Sequence, residues 1–585
     1  MKPLLRLLPY LSRYKKTLIL GVLTIVGSNL FSIVQPLFLG YAIDELKIGI
    51  ETKAYVSSNL LMWAGLIVGF SLVAGFFTFL TRQTIIVVSR HIEFDLRNDL
   101  LSHLQKLSHS YFQNKPTGDL MAHATNDISA VRNVLGPGIM YPSDTILTFV
   151  MVLTMMLTRD WQLTLLALVP MPLVSVVVYK ISKLIHARFT ERQELFSRLT
   201  TKAQENLSGI RVIKSYVREE FEIGDFRKLS WEYLKKNLVL AKVQSFIWPL
   251  MFILVGCSII LTMYFGGLNV IAGSMTIGTL SAFMSYLLML IWPMIAFGWV
   301  LNLLQQGAAS MGRLAAIIDS VPEIRDTTET NEDIKSIEGE IEFRNVSFTH
   351  KNADRQTLQG MNLRITKGMT LAVVGYTGTG KSTLVSLIPR LYDVTEGQLL
   401  IDGHDVRSIP LEVLRSNIGY VPQETFLFSD SIAENIRYGL DNGQSDILEA
   451  AEVSQIAKDV GQFPKGYETL IGERGITLSG GQKQRTSIAR AIMREPKILI
   501  LDDALSSVDT YTEEEILSRL KSFMEGRTSI IISHRISTVK DADLIVVLDK
   551  GQIVERGTHD ELVDRGGIYA DLHQKQLLEK ELESM

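Results

Sequence analysis

Up to about residue 313 the chain alternates long uncharged stretches with strongly charged ones, and beyond it the apolar runs become short. Uncharged or nearly uncharged segments occupy 17–43, 56–81, 134–158, 161–182, 244–266 and 277–306. Each is long enough to cross a hydrocarbon core of about 30 Å as a helix of roughly 20 residues. Their even number brings both ends of the region to one side of the membrane. No residue between Lys242 and Arg313 is charged, so Gly266, Gly267, Gly273 and Gly278 mark the turn between the last two spans. The charged segments 82–133 and 183–243 are rich in helix formers with a heptad-like apolar pattern, which predicts that the spans continue as helices beyond the bilayer. Each has a turning point with its own short helix, near Pro116–Met121 and near Ser208–Ile213. These turns either reach a soluble domain or simply bracket the helices.

Charge sets the orientation. Lys2, Arg6, Arg13, Lys15 and Lys16 precede the first span with no acid among them, and the segment from Lys183 to Lys242 is dense in Lys and Arg. The positive-inside rule places both in the cytoplasm, and with them both termini of a multi-pass cell-membrane protein. The apolar run that follows the basic N-terminus is too long for a cleaved signal and lacks a clear cleavage site, so it reads as a retained span. A formal net charge of -3 gives no reason to expect a nucleic-acid partner. The single cysteine, Cys257, excludes an intrachain disulfide and any zinc site of several cysteines.

The soluble part carries the chemistry. Thr370–Val374 reads as a strand and Lys381 onward as a helix, and between them stands Gly375-Tyr376-Thr377-Gly378-Thr379-Gly380-Lys381-Ser382-Thr383. In that setting the loop is a P-loop: amides around Gly378 to Thr383 cradle phosphates, Lys381 reaches the β and γ phosphates, and Ser382 ligates Mg²⁺. About 120 residues later the apolar run Ile498–Leu501 delivers Asp502 and Asp503. The first acid can hold Mg²⁺ and the second can orient an attacking water.

Between loop and acids lies Leu478-Ser479-Gly480-Gly481-Gln482-Lys483-Gln484-Arg485, a segment that the P-loop fold in general does not require. With it the chain resembles an ATP-binding cassette exporter half-transporter over nearly its whole length. The resemblance implies a multidomain membrane protein: an all-α six-helix transmembrane domain over 1–320 with long cytoplasmic extensions, a linker over 321–338, and an α/β P-loop nucleotide-binding domain over 339–575. A charged tail follows over 576–585. It further implies ATP and Mg²⁺ as cofactors, with Gly375, Gly378, Gly380, Lys381, Ser382 and Thr383 on the phosphates, and Ser382, Asp502 and Gln423 at the metal. By the same resemblance His534 is the switch histidine on the γ-phosphate, and Ser506–Asp509 the loop that brings Asp509 to the site. Gly472-Glu473-Arg474-Gly475 matches the segment that contacts the short intracellular helices. Ser479, Gly480, Gly481 and Gln482 would bind the nucleotide of a partner, because in this family the segment cannot face its own P-loop. A single such domain must therefore pair with a second half-transporter.

Two positions depart from the family pattern. His350 stands where an aromatic residue stacks on adenine, and imidazole offers less stacking area. Asp503 stands where the family has a Glu as catalytic base. A side chain one methylene shorter can misplace the attacking water by about 1 Å, worth on the order of 100-fold in rate. A weak P-loop side beside an intact Ser479–Gln482 resembles one partner of a heterodimeric bacterial multidrug exporter; a homodimer is the alternative.

The substrate is expected to be a small amphipathic or hydrophobic compound moved by alternating access. A lipid or peptide exporter uses the same machinery, and an ATP-gated channel or sensor is a further alternative. Met284, Met289, Trp292, Met294 and Trp299 in the sixth span either line an adaptable cavity or pack against helices and lipid. Asp144, the one acid well inside a span, either meets a cationic substrate or pairs near the membrane face.

Overall fold

The computed structural model describes residues 2–52, 57–351, 353–440, 446–472 and 478–584. Glu473, Arg474 and Gly475, and the side chain of Met294, lie outside the described residues. The chain divides into two compact units, one of Met1–Ser102 with Gly118–Asp319, the other of His103–Thr117 with Ser320–Met585.

The described residues of the first unit are almost all helical. Helix α1 (Lys15–Thr52) is followed by α2 (Ser57–Thr81), which runs through a wider π-turn at Arg82–Ile86 into α3 (Val87–Lys106). After α4 (His109–Gln113), which belongs to the second unit, the chain returns through α5 (Thr117–Ala122), α6 (Ile128–Leu135) and α7 (Pro137–Arg159). The short helix of this turn thus lies before Pro116, and Thr117–Met121 already starts the return. Then come α8 (Trp161–Leu168), α9 (Met171–Ser208), the short α10 (Ile210–Ser215), α11 (Glu219–Ser245), α12 (Ile247–Ile271), α13 (Ile277–Met289) and α14 (Ile291–Ile318). Lys15–Thr52, Ser58–Lys106, Thr117–Arg159, Phe252–Ile271 and Ile277–Ile318 are long and apolar enough to cross a membrane. The fourth predicted stretch, 161–182, is shared between α8 and α9 and breaks at Pro170, which has no N–H to continue the helical ladder.

With lipid outside, helix association rests on close approach and on polar contacts rather than on hydrophobic burial. Helices α1 and α13 touch backbone to backbone: a Cβ on Gly278 would lie 2.0 Å from the Gly40 carbonyl oxygen. The Gly278 amide donates to Asp44 Oδ1 at 2.8 Å and the Tyr286 hydroxyl to the Ile33 carbonyl at 2.9 Å, so the crossing is also satisfied in its polar groups. Toward the other end of the unit, Asp127 is buried and takes Arg313 Nε at 3.0 Å, Ser310 Oγ at 2.9 Å and His123 Nδ1 at 2.6 Å.

The second unit is α/β. A six-stranded sheet has the order β10–β9–β3–β8–β7–β6, from β3 (Thr370–Val374), β6 (Ile418–Val421), β7 (Ile498–Asp502), β8 (Thr528–Ile532), β9 (Leu544–Asp549) and β10 (Gln552–Gly557). All neighbours are parallel except β10 on β9. Strands β7 and β8 are buried along their whole length, as parallel strands covered on both faces must be. A second, antiparallel sheet orders β2–β1–β4–β5, from β1 (Ile341–Phe348), β2 (Leu358–Ile365), β4 (Glu396–Ile401) and β5 (His404–Asp405). Its apolar face shares a core with one side of the large sheet, where Phe343, Leu363 and Leu399 meet Val373, Ile500 and Ile530.

The Gly40–Gly278 contact leaves no room for a methyl group, whereas a Cβ on Gly256 in α12 would meet nothing within 4 Å. Gly278→Ala should therefore destabilise the membrane domain by about 1–3 kcal/mol, seen as a lower melting temperature in detergent, with Gly256→Ala unchanged. Equal melting of the two variants would contradict a rigid crossing at Gly278.

Candidate functional site

The parallel register decides what meets what. Ile532 of β8 lies opposite Val373 of β3 on one side and opposite Asp502 of β7 on the other. The three strands therefore end level, and the P-loop after β3, the His534 turn after β8 and the Asp502–Asp503 pair on β7 leave the sheet along one edge. Val421 of β6 pairs with Leu501, which carries exposed Gln423 to the same edge from the far side.

In the P-loop, Gly375, Gly378 and Gly380 all have positive φ, at 148°, 83° and 98°. Gly375 cannot be replaced, because a Cβ there would lie 2.3 Å from the Leu548 carbonyl. The backbone N–H groups of Tyr376 through Gly380 find no acceptor among the described residues. A run of orphan donors bordered by a buried ammonium fits a chain of phosphates. Lys381, 7 % exposed, heads the seven-residue helix α15 (Lys381–Leu387) and donates to the carbonyls of Gly375 (2.8 Å) and Tyr376 (2.9 Å). Burial lowers its pKa, opposed by the nearby carboxylates of Asp503 and Asp502. Ser382 Oγ donates to Asp502 Oδ1 at 3.1 Å, and burial raises the Asp502 carboxyl, with Asp503 adding to the effect. A buried carboxylate with a part-buried hydroxyl beside the phosphate loop suits a hard, oxygen-seeking cation such as Mg²⁺.

Asp503 follows with φ 50°, a left-handed conformation that Asp tolerates better than most residues. Its amide donates to the Ile532 carbonyl at 2.9 Å, tying it to the His534 turn. His350 sits at the end of β1. Its ring meets Phe348 and Tyr392 edge-on at 4.8 and 5.4 Å, and Nε2 lies 3.5 Å from Thr383 Oγ1. Burial lowers its pKa, so at neutral pH it presents an uncharged ring beside the phosphate loop. Tyr392 also meets His109 of α4 at 5.7 Å, so this short helix packs beside the His350 end of the site.

Ser479 begins helix α16 (Gly480–Ile492) with a reciprocal cap: its Oγ accepts from Gln482 N at 3.3 Å and its N donates to Gln482 Oε1 at 2.9 Å. Gly480 and Gly481 lie against Ser507, where a Cβ on Gly481 would come within 2.9 Å of the Ser507 carbonyl. Asp509 caps helix α17 (Thr510–Met524) through Thr512 N at 2.9 Å, which lowers its pKa. The structure thus brings Lys381, Ser382, Asp502 and Asp503 together, with His350 on Thr383. Gln423, Ser479–Gln482, Asp509 and the side chain of His534 bond to none of these.

Residues 18–294 match the family model of the ABC transporter transmembrane region, and 358–506 that of the ABC transporter. The chain belongs to the ATP-binding cassette (ABC) transporters. It is 36% identical to YheI of Bacillus subtilis, a probable multidrug resistance ABC transporter ATP-binding/permease protein, over 96% of this chain and 95% of that one. The multidrug resistance-like ATP-binding protein MdlA of Escherichia coli matches at 36%, covering 96% and 95%. An ATP-dependent lipid A-core flippase of Syntrophus aciditrophicus matches at 38%, covering 96% and 91%. Among solved structures, a bacterial Atm1-family ABC exporter with ATP bound aligns with a TM-score of 0.81 at 27% identity, over 96% of this chain and 99% of that one. This ABC exporter is accordingly a multi-pass membrane protein and a transport ATPase that works as a dimer in a lipid bilayer.

Two residues of the exporter's site escaped the sequence reading. Buried Gln484, on α16, donates to Ser506 Oγ at 3.0 Å and accepts from Ser507 N at 2.9 Å, so the helix that starts at Gly480 holds the loop after Asp503. Gln484 stands inside the Leu478–Arg485 segment, but nothing local gave it a role of its own. The second is Gln576. Expected in a charged tail from 576, it lies within helix α18 (Ile568–Ser584), where it donates to the His534 carbonyl at 2.5 Å and accepts from Ile536 N at 2.8 Å. Gln576→Leu removes both bonds and should lower kcat for ATP roughly tenfold, the equivalent of about 1.4 kcal/mol, with KM nearly unchanged. Gln576→Glu, which keeps the acceptor for Ile536, should fall between; steady-state hydrolysis by the purified dimer reads both, and an unaltered kcat removes Gln576 from the site.

Proposed function

We propose that this chain is one half of a heterodimeric, ATP-driven exporter of amphipathic or hydrophobic compounds, and that its own P-loop holds the slower of two ATP sites. Asp503 carries this reading: it is a short acid at the base position, beside a well-formed cap at Ser479. The multidrug names of the Bacillus and Escherichia relatives support the substrate class. The basic N-terminal segment and the basic stretch from Lys183 to Lys242 support cytoplasmic termini and a cytoplasmic nucleotide-binding domain in the cell membrane.

The chemistry follows from the residues. The P-loop amides and Lys381 bind the phosphates, with Lys381 exchanging its carbonyl partners for phosphate oxygens. Mg²⁺, held by Ser382 and Asp502 with Gln423 at its margin, would offset the charge of the phosphates. Asp503 orients water from a shorter arm, and His534 bonds the terminal phosphate. Adenine lies along His350. Ser479, Gly480, Gly481, Gln482 and Asp509 act across the dimer on the partner's nucleotide, and closure of the two domains drives the spans from inward- to outward-open. A second reading, lipid export, has the support of the lipid A-core flippase relative.

The chain purified alone should hydrolyse ATP slowly, and Asp503→Glu should raise hydrolysis at its own site by up to roughly 100-fold. Ser479→Arg should abolish most turnover of the complex. Single-turnover and steady-state assays measure the two, and equal, mild effects would overturn the asymmetry.

A further inference from the structure

Resting on the export reading above, we propose that Asp144, with Tyr141, Trp292 and Trp299, forms an intramembrane site for a lipophilic organic cation, a quaternary ammonium or phosphonium whose charge is shielded by its substituents. Tyr141 and Asp144 lie one turn apart on α7, so they share a face. Trp292 and Trp299 lie two turns apart on one face of α14. The Tyr141 ring meets Trp299 edge-on at 5.1 Å and Trp292 at 6.4 Å, and the two indoles remain 51% and 44% exposed. Three aromatic rings therefore gather at Tyr141, which stands one helical turn from the carboxylate.

The surroundings of Asp144 say what is missing. Its Oδ1 accepts from Asn29 Nδ2 at 2.8 Å. Asn29, on α1 and 6% exposed, also donates to the Ile25 carbonyl at 3.1 Å and accepts from Thr148 Oγ1 at 2.5 Å. These bonds fix its amide with the nitrogen toward the carboxylate, so Asn29 supplies a donor and no charge. Among the described residues Asp144 Oδ2 has no donor and the carboxylate has no ion pair. Two other acids of the same unit are treated differently: Asp127 pairs with Arg313, and Glu93 with Arg90, Arg97 and Arg132. A carboxylate inside a span is costly, and a purely structural position would be served by a neutral side chain. Its oxygen without a donor and the aromatic rings together supply charge and cation–π contacts. Small inorganic cations need more oxygen ligands than one carboxylate offers, whereas a bulky organic cation sheds its water easily and fits rings as well as charge.

The test is equilibrium binding of tetraphenylphosphonium and of neutral triphenylphosphine oxide to the full-length chain in lipid nanodiscs, with empty nanodiscs subtracted. Wild type should prefer the cation at least tenfold. Asp144→Asn should weaken cation binding about tenfold and leave the oxide alone, Asp144→Glu should retain most of the preference, and Trp299→Ala should weaken both ligands. Equal binding of the two ligands to wild type, or cation binding indifferent to Asp144→Asn, overturns the site. Should Asp144→Asn fail to fold, the wild-type preference and Trp299→Ala still decide. ATP-driven accumulation in vesicles separates the two readings: uphill transport indifferent to Asp144→Asn removes the site and keeps the exporter. Asp144-dependent binding without ATP-driven accumulation does the reverse.

Discussion

The level ends of β3, β8 and β7 are the constraint on which the nucleotide site depends. Parallel pairing sets Val373, Ile532 and Asp502 at one height, and each strand hands its chain to a functional turn at that height. The Ser382–Asp502 hydrogen bond and the Asp503–Ile532 backbone bond are consequences of this register. A shift of one residue in β7 would turn Asp502 to the opposite face of the sheet, because successive side chains alternate. The burial of β7 and β8 on both faces makes such a shift costly, so the site inherits its precision from the core.

Around that edge, the loops are held by side chains rather than by strands. Gln484 braces the turn after Asp503 from the helix that begins at Gly480, and Gln576 braces the His534 turn from the C-terminal helix. Each amide both donates and accepts, which fixes a loop without adding charge at that edge. Glu513, buried on α17, adds a third brace through Arg535 and Thr538. The acid after β7, the cap at Ser479 and the His534 turn are therefore mechanically linked within one chain.

The membrane domain follows different physics. Its helices meet at glycines and at isolated polar contacts, as at Gly40–Gly278 and Asp44. Buried charge outside the spans is neutralised by Arg313 at Asp127, while Asp144 inside a span has only an amide.

Much of this was legible in the chain alone, because it lies in local signals. Uncharged runs of some twenty residues declare the spans, and Gly375–Thr383, Leu478–Arg485 and Asp502–Asp503 declare the chemistry through spacing that only a strand, a loop and a helix can satisfy. The break of the fourth span at Pro170 was present as a residue but outweighed by the apolar run around it. What the chain alone did not reveal depends on contacts far apart in sequence. Strand β8 lies between β3 and β7 although it follows both, Gln576 reaches back to His534, and Asn29 meets Asp144 across 115 positions. Local pattern records what a residue can do; only packing of distant segments decides which partner it has, because hydrogen bonds and register are set by the neighbour and not by the residue itself.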